Sequence, residues 1–220
     1  MLRNLLICGL IAGACAGTLA AGFAVVAGEP AVDRAVALEG AHPGPVSREV
    51  QKSAGLLTAT VVYGLSVGGL FALAFAVAYG RVARATPRAT AYGLATAAFV
   101  VVFLVPFLKY PANPPGATEP ATIGARTLAY ATMVAISLLA AVAAVRLRRS
   151  RGSLAAAALF VVVVAAAGVA LPSFHEVPGD FPAGTLWGFR AASIGTQAVV
   201  WLTIGLMFGP LAERTMRHAR

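Results

Sequence analysis

The sequence predicts an all-α, polytopic integral membrane protein, and three observations predict it. The first is composition: 59% of the 220 residues are hydrophobic and only 11% are charged, with a mean hydropathy of +0.82. A soluble domain carries about 25% charged and about 45–50% apolar residues. The second is segmentation. Six apolar segments, at about 5–27, 54–79, 89–108, 127–145, 153–171 and 191–207, contain no Asp, Glu, Lys, Arg or His. Each approaches or exceeds the ~20 residues that a helix needs to cross a hydrocarbon core of about 30 Å. The third is that the cations collect in alternate connections. Strand-type alternation is absent, so the spans read as helices rather than a barrel, and residues 1–220 read as a single membrane domain.

The first segment follows Met1, Leu2, Arg3 and Asn4. It is longer than the about 7–15 apolar residues of a signal peptide, so a retained helix is expected. Gly9, Gly13 and Gly17 recur within it every four residues, the spacing that lets helices approach closely in lipid. Cys8 and Cys15 share one face of the same helix and read as small packing residues, since that spacing excludes a disulfide within a helix. Segment two carries Thr58, Thr60, Tyr63 and Ser66; segment four Thr127, Tyr130, Thr132 and Ser137; segment six Ser193, Thr196, Gln197 and Thr203. These predict either a polar vestibule on the outer side, lined by the even-numbered helices, or ordinary interhelical hydrogen bonds worth about 0.6 kcal/mol each. Segment three stops at Lys109, and Pro111, Pro114, Pro115 and Pro120 follow within ten positions. Proline fixes φ and restrains its predecessor, so this connection is stiff and extended. It either merely ends the helix or offers Asn113 and backbone carbonyls to a ligand without rearrangement.

Charge sets the sides. With the N-terminus in the cytoplasm, Arg3, Arg81, Arg84, Arg88, Arg146, Arg148, Arg149, Arg151, Arg214, Arg217 and Arg220 are internal, 11 of the 17 cations, beside a single acid, Glu213. The outer connections hold Arg34, Arg48, Lys52, Lys109, Arg126 and Arg190 with the other seven acids. Every inner connection is basic, as the positive-inside rule requires, and this predicts six spans rather than five with both termini cytoplasmic. The net charge of +9 is thereby explained by topology and by attraction to anionic lipid, not by nucleic acid.

Chemistry therefore belongs to the outer side. Each outer connection places an acid near a proline: Glu29 before Pro30, Glu119 before Pro120, Glu176 two before Pro178. Carboxylates attract a cation, and hydroxyls and carbonyls replace part of its water. His175 beside Glu176 suits a divalent transition metal, although for that pair alone a solvated loop is the better reading, since adjacent residues rarely both ligate. No phosphate-binding loop, G-x-S-x-G or H-E-x-x-H is present, and no ionisable residue lies mid-span. No enzyme and no permanently bound cofactor is expected.

The heptapeptide KYPANPP, from Lys109 to Pro115, is similar to the most distinctive motif of the cobalt transporter subunit family CbtA. The glycine-spaced GLIAGACAG, then GEP with ALE after it, RTLAY and FPAGTLWGFR resemble that family in the same order, up to Arg190. The resemblance implies Co²⁺ uptake across the cell (inner) membrane with a small one-helix CbtB-type partner that supplies histidines. It implies synthesis linked to cobalamin supply and about five spans. The family's metal ligands are not fixed by motif. With it, Glu29, Asp33, Glu39, His175 and Glu176 are the expected ion-facing groups, and Lys109, Tyr110, Pro111, Asn113, Pro114 and Pro115 an outer gate. Lys109, Arg190, Trp187 and Tyr110 fit the membrane interface. The alternatives are a non-catalytic assembly subunit, a nickel transporter, or an enzyme acting on lipid-linked substrates through Glu29 or Glu176. An energising partner is not legible in the chain.

Overall fold

The computed structural model describes residues 1–39, 46–82 and 85–217, the side chain of Glu39 excepted. The expectations for Glu39, Arg84 and Arg220 lie outside the described residues. Among those described none is a strand. Five continuous helical stretches are long and apolar enough to cross a membrane: Leu2–Leu38, Arg48–Ala78, Pro87–Lys109, Pro120–Ala170 and Ala183–Arg217.

Three of these stretches contain a π-helical turn. Helix α1 (Leu2–Phe23) passes through Ala24–Gly28 into α2 (Glu29–Glu39). Helix α3 (Arg48–Val50), capped by the Ser47 hydroxyl, passes through Gln51–Gly55 into α4 (Leu56–Ala78). Helix α5 (Pro87–Ala98), with Thr86 as its cap and Pro87 in its first turn, passes through Phe99–Leu104 into α6 (Val105–Lys109). Pro30 and Pro106 each lie two residues beyond a π turn. A proline ring clashes with the carbonyl four residues back and removes one N–H; a widened turn absorbs the conflict without ending the helix. The first outer connection, expected as a loop from Gly28, is therefore helical as far as Glu39.

Helix α7 (Ile123–Ala170) is 48 residues long, about 72 Å at 1.5 Å per residue and more than twice the hydrocarbon thickness. It is not straight. Gly152 adopts φ 83°, ψ 176°, a region open essentially to glycine alone. Met133 on one side of it and Ala167 on the other join Val105 in a single buried cluster, with Ile136 and Phe160 beside them. The two arms thus lie side by side, and the basic connection expected at 146–152 contracts to one residue. Gly152→Ala should cost about 1–3 kcal/mol, read as a lower thermal midpoint in detergent. Gly168→Ala, where an added Cβ meets nothing within 4 Å, should not.

Helix α1 is central, with α4 on one side and α8 (Ala183–Arg217) on the other; α5 packs on α8, and α7 lies against α6 and the preceding π turn. Toward α4, backbones touch. A Cβ on Gly9, Gly13 or Gly17 would fall 2.3, 2.1 and 2.3 Å from the carbonyl oxygens of Gly68, Gly64 and Thr60. Toward α8, Leu5, Ala12 and Ala16 meet Val200, Ile204 and Phe208. Phe208 packs edge-on against Phe71 and Phe75, ring centroids 5.1 and 5.0 Å away. At the end of the bundle that holds the termini, Glu213 pairs with Arg88 and Arg217, and Arg149 donates to the Arg81 carbonyl.

Candidate functional site

The opposite end of the bundle holds a cavity of about 360 Å³. Its walls are Ala24 and Gly28 of the first π turn, Leu56 at the start of α4, and Phe103 of the third π turn. Helix α8 contributes Phe189, Ala192, Ser193, Thr196 and Gln197; Glu29 and Val32 come from α2, and Ala112 from the proline loop. All three π turns reach or adjoin this cavity, which suits the frequent placement of such turns at functional sites. Each widens its helix locally and re-aims the residues beyond it.

The polar groups converge from α2 and α8. Ser193 and Thr196 donate their hydroxyl hydrogens to the carbonyls of Phe189 and Ala192, at 2.9 and 2.8 Å. A hydroxyl that donates to its own helix keeps lone pairs for a cation. The Tyr63 hydroxyl donates to Gln197 Oε1 at 3.2 Å, bringing α4 to α8 at the edge of the cavity. Segment four does not contribute as expected. Thr127 and Thr132 donate to Ile123 and Leu128 carbonyls of their own helix, and none of its four polar residues lines the cavity. Thr58, Thr60, Tyr63 and Ser66 of segment two do not line the cavity either; its polar lining comes from α2 and α8, and α7 packs on the far side of the α5–α6 stretch.

Among the described residues, Glu29 is the one carboxylate lining the cavity. It is ion-paired with Arg48, which also donates to Asp33 Oδ1 through Nη2 at 3.0 Å and Nε at 3.1 Å. His175 and Glu176 lie in another loop. Glu176 faces Arg126 Nε at 3.2 Å without the alignment of a hydrogen bond, and His175 is exposed. Among the described residues no three His, Cys, Asp or Glu side chains are grouped to hold a metal ion.

The proline loop is fastened from two sides, by α8 and by the loop at Pro172 and Ser173. Arg190 Nη2 donates to Asn113 Oδ1 at 2.8 Å and its Nε to the Ala112 carbonyl at 3.3 Å. Lys109 Nζ donates to Ser173 Oγ at 2.7 Å, and the Tyr110 hydroxyl to the Pro172 carbonyl at 2.8 Å. Burial raises the Tyr110 pKa, which widens the alkaline margin over which this already protonated phenol stays a donor. Pro114 is fully buried, and the Ala117 amide bonds the Pro114 carbonyl at 3.3 Å across Pro115 and Gly116. Gly116 has φ 73°, the glycine position of a type II turn with proline before it. The loop is thus a fixed cover whose Ala112 closes one side of the cavity. Sequence reading placed Arg190 at the interface and missed it as the clamp on this cover. Arg190→Ala should leave the loop unclamped and loosen it, detected as faster proteolysis near residue 113, while Arg190→Lys should restore part of the protection.

A family model described as "Probable cobalt transporter subunit (CbtA)" matches residues 2–213. No curated protein and no solved structure matches the chain.

Proposed function

The chain belongs to the CbtA family of probable cobalt transporter subunits, and on that premise we propose that it is the membrane-embedded route of a Co²⁺ uptake transporter, with Glu29 as the carboxylate that draws the ion into the cavity. One observation carries this reading. Glu29, the single carboxylate of the cavity among the described residues, shares its lining with Ser193, Thr196 and Gln197, the kind of oxygen donors that replace part of a cation's water. Asp33 acts at the rim, and His175 and Glu176 lie in a separate loop. The proline loop from Lys109 to Pro115 is a fixed outer cover.

Six crossings, with both termini cytoplasmic and the cavity facing outward, are supported by the two arms of α7 and by the placement of the arginines. The description as a subunit implies a partner. A one-helix CbtB-type protein in the same inner membrane would supply imidazole ligands that this chain, with three histidines, scarcely has. The assembly reading draws less support, because the Gly9, Gly13 and Gly17 stripe is occupied by α4 and is not free to hold another chain.

The test is radioactive cobalt uptake in cells lacking their own importers, expressing the chain alone and then with a one-helix partner. Saturable uptake that requires the chain is the expected result. No uptake in either case, with the protein present in the membrane, would reject the route.

A further inference from the structure

Arg48 is not needed to hold the hairpin it bridges. Helices α1 and α4 are already locked along their length by backbone contact at Gly9, Gly13 and Gly17, and a partly exposed ion pair adds little to such an interface. Its position suggests another use. Glu29 and Asp33 stand one turn apart on the same face of α2, and Arg48 lies across both. The two carboxylates differ in surroundings. Glu29 lines the cavity and its side chain is 14% exposed, whereas that of Asp33 is 48% exposed. The guanidinium holds the wet carboxylate through two N–H groups and the cavity carboxylate through one. A swing toward water therefore breaks one contact and keeps two.

We propose that Arg48 is a tethered competing cation: it occupies Glu29 while the cavity is empty of metal, and moves onto Asp33 alone when a divalent cation takes Glu29. This rests on the cobalt route proposed above. The device answers a physical need. A half-buried carboxylate without a counter-charge is costly, so Glu29 needs a cation in every state. A guanidinium supplies one at any physiological pH because it does not lose its proton. A metal ion must then displace a charge already in place. That lowers apparent affinity, keeps weakly bound monovalent ions out, and lets the incoming ion leave again.

The experiment measures radioactive Co²⁺ binding to the full-length protein in lipid nanodiscs. Arg48→Gln is expected to bind Co²⁺ about 3- to 10-fold more tightly, the effect of losing one partly exposed competing pair. Arg48→Cys should show the same gain, reversed by a thiol reagent that attaches a quaternary ammonium and retained with a neutral reagent of similar size. This reversal separates the charge from any change in folding. Unchanged or weaker binding in Arg48→Gln, with binding still lost in Glu29→Gln, would overturn the competing-cation role and leave the cobalt route standing. Full binding in Glu29→Gln would overturn both.

Discussion

Gly13→Ile is expected to abolish the folded protein. Even a single Cβ on Gly13 would lie 2.1 Å from the Gly64 carbonyl oxygen and 2.8 Å from its carbon. These are backbone atoms, which no rotamer change can move aside. The contact is reciprocal, since a Cβ on Gly64 would meet the Gly13 oxygen at 2.2 Å. Helices α1 and α4 would have to separate along their length, undoing the neighbouring contacts at Gly9 and Gly17. Association of helices in lipid rests on close packing rather than on exclusion of water, so a loss of fit is not recovered elsewhere. Even Gly13→Ala should cost about 3 kcal/mol. Isoleucine, with three more carbons, should remove the monodisperse species on size-exclusion after extraction. Gly22→Ala is the control, because nothing lies within 4 Å of the added Cβ. A Gly13→Ile protein that extracts and melts like the parent would disprove the backbone contact.

The second large effect is expected at Glu29. Glu29→Gln keeps the shape of the side chain and removes its charge, the only carboxylate charge lining the cavity among the described residues. A charge-assisted interaction contributes about 1.5–3 kcal/mol, so cobalt uptake should fall about 10-fold or more. Membrane abundance should not change, since the α1–α4 contact does not involve this residue. Glu176→Gln is the informative comparison. It removes another carboxylate, one paired with Arg126 in a loop that does not line the cavity, and the expected loss is small. Equal losses in the two variants would relocate the ion's path to the Glu176 loop. No loss in either would remove carboxylates from the mechanism.

How much of this was legible in advance follows physical lines. Apolar segments and the basic connections between them depend on local composition, and each apolar segment lies within a helical stretch to within about a residue, although the helices run well beyond them at Glu29–Glu39, Arg48–Val50 and the start of α8. The stop after Lys109, the stiff turn through Pro114 to Ala117, and the glycine stripe of α1 are likewise local signals. What covers each of them is not local. Gly64 and Gly68 complete the α1 stripe from 47 residues or more away, and only antiparallel packing aligns them. The π turns were hidden because a helical pattern does not record one extra residue per turn. Pro30 and Pro106 were their nearest signal, yet proline more often ends a helix than widens it.

The sequence by itself determined a membrane-embedded helical chain, its six charge-free segments and the clustering of acids in one set of connections, because hydrophobicity and charge act residue by residue. Only the tertiary structure decided which acid meets a cavity. Glu29 does and Glu176 does not, because π turns carry α2 over the end of α8 while the α7 arms pack away on the far side of α5 and α6. It also decided that Arg48, Arg126 and Arg190, read beforehand as outer charges or interface anchors, are the partners of Glu29, Glu176 and Asn113. Pairing is a matter of distance, and distance between remote residues is set by the fold.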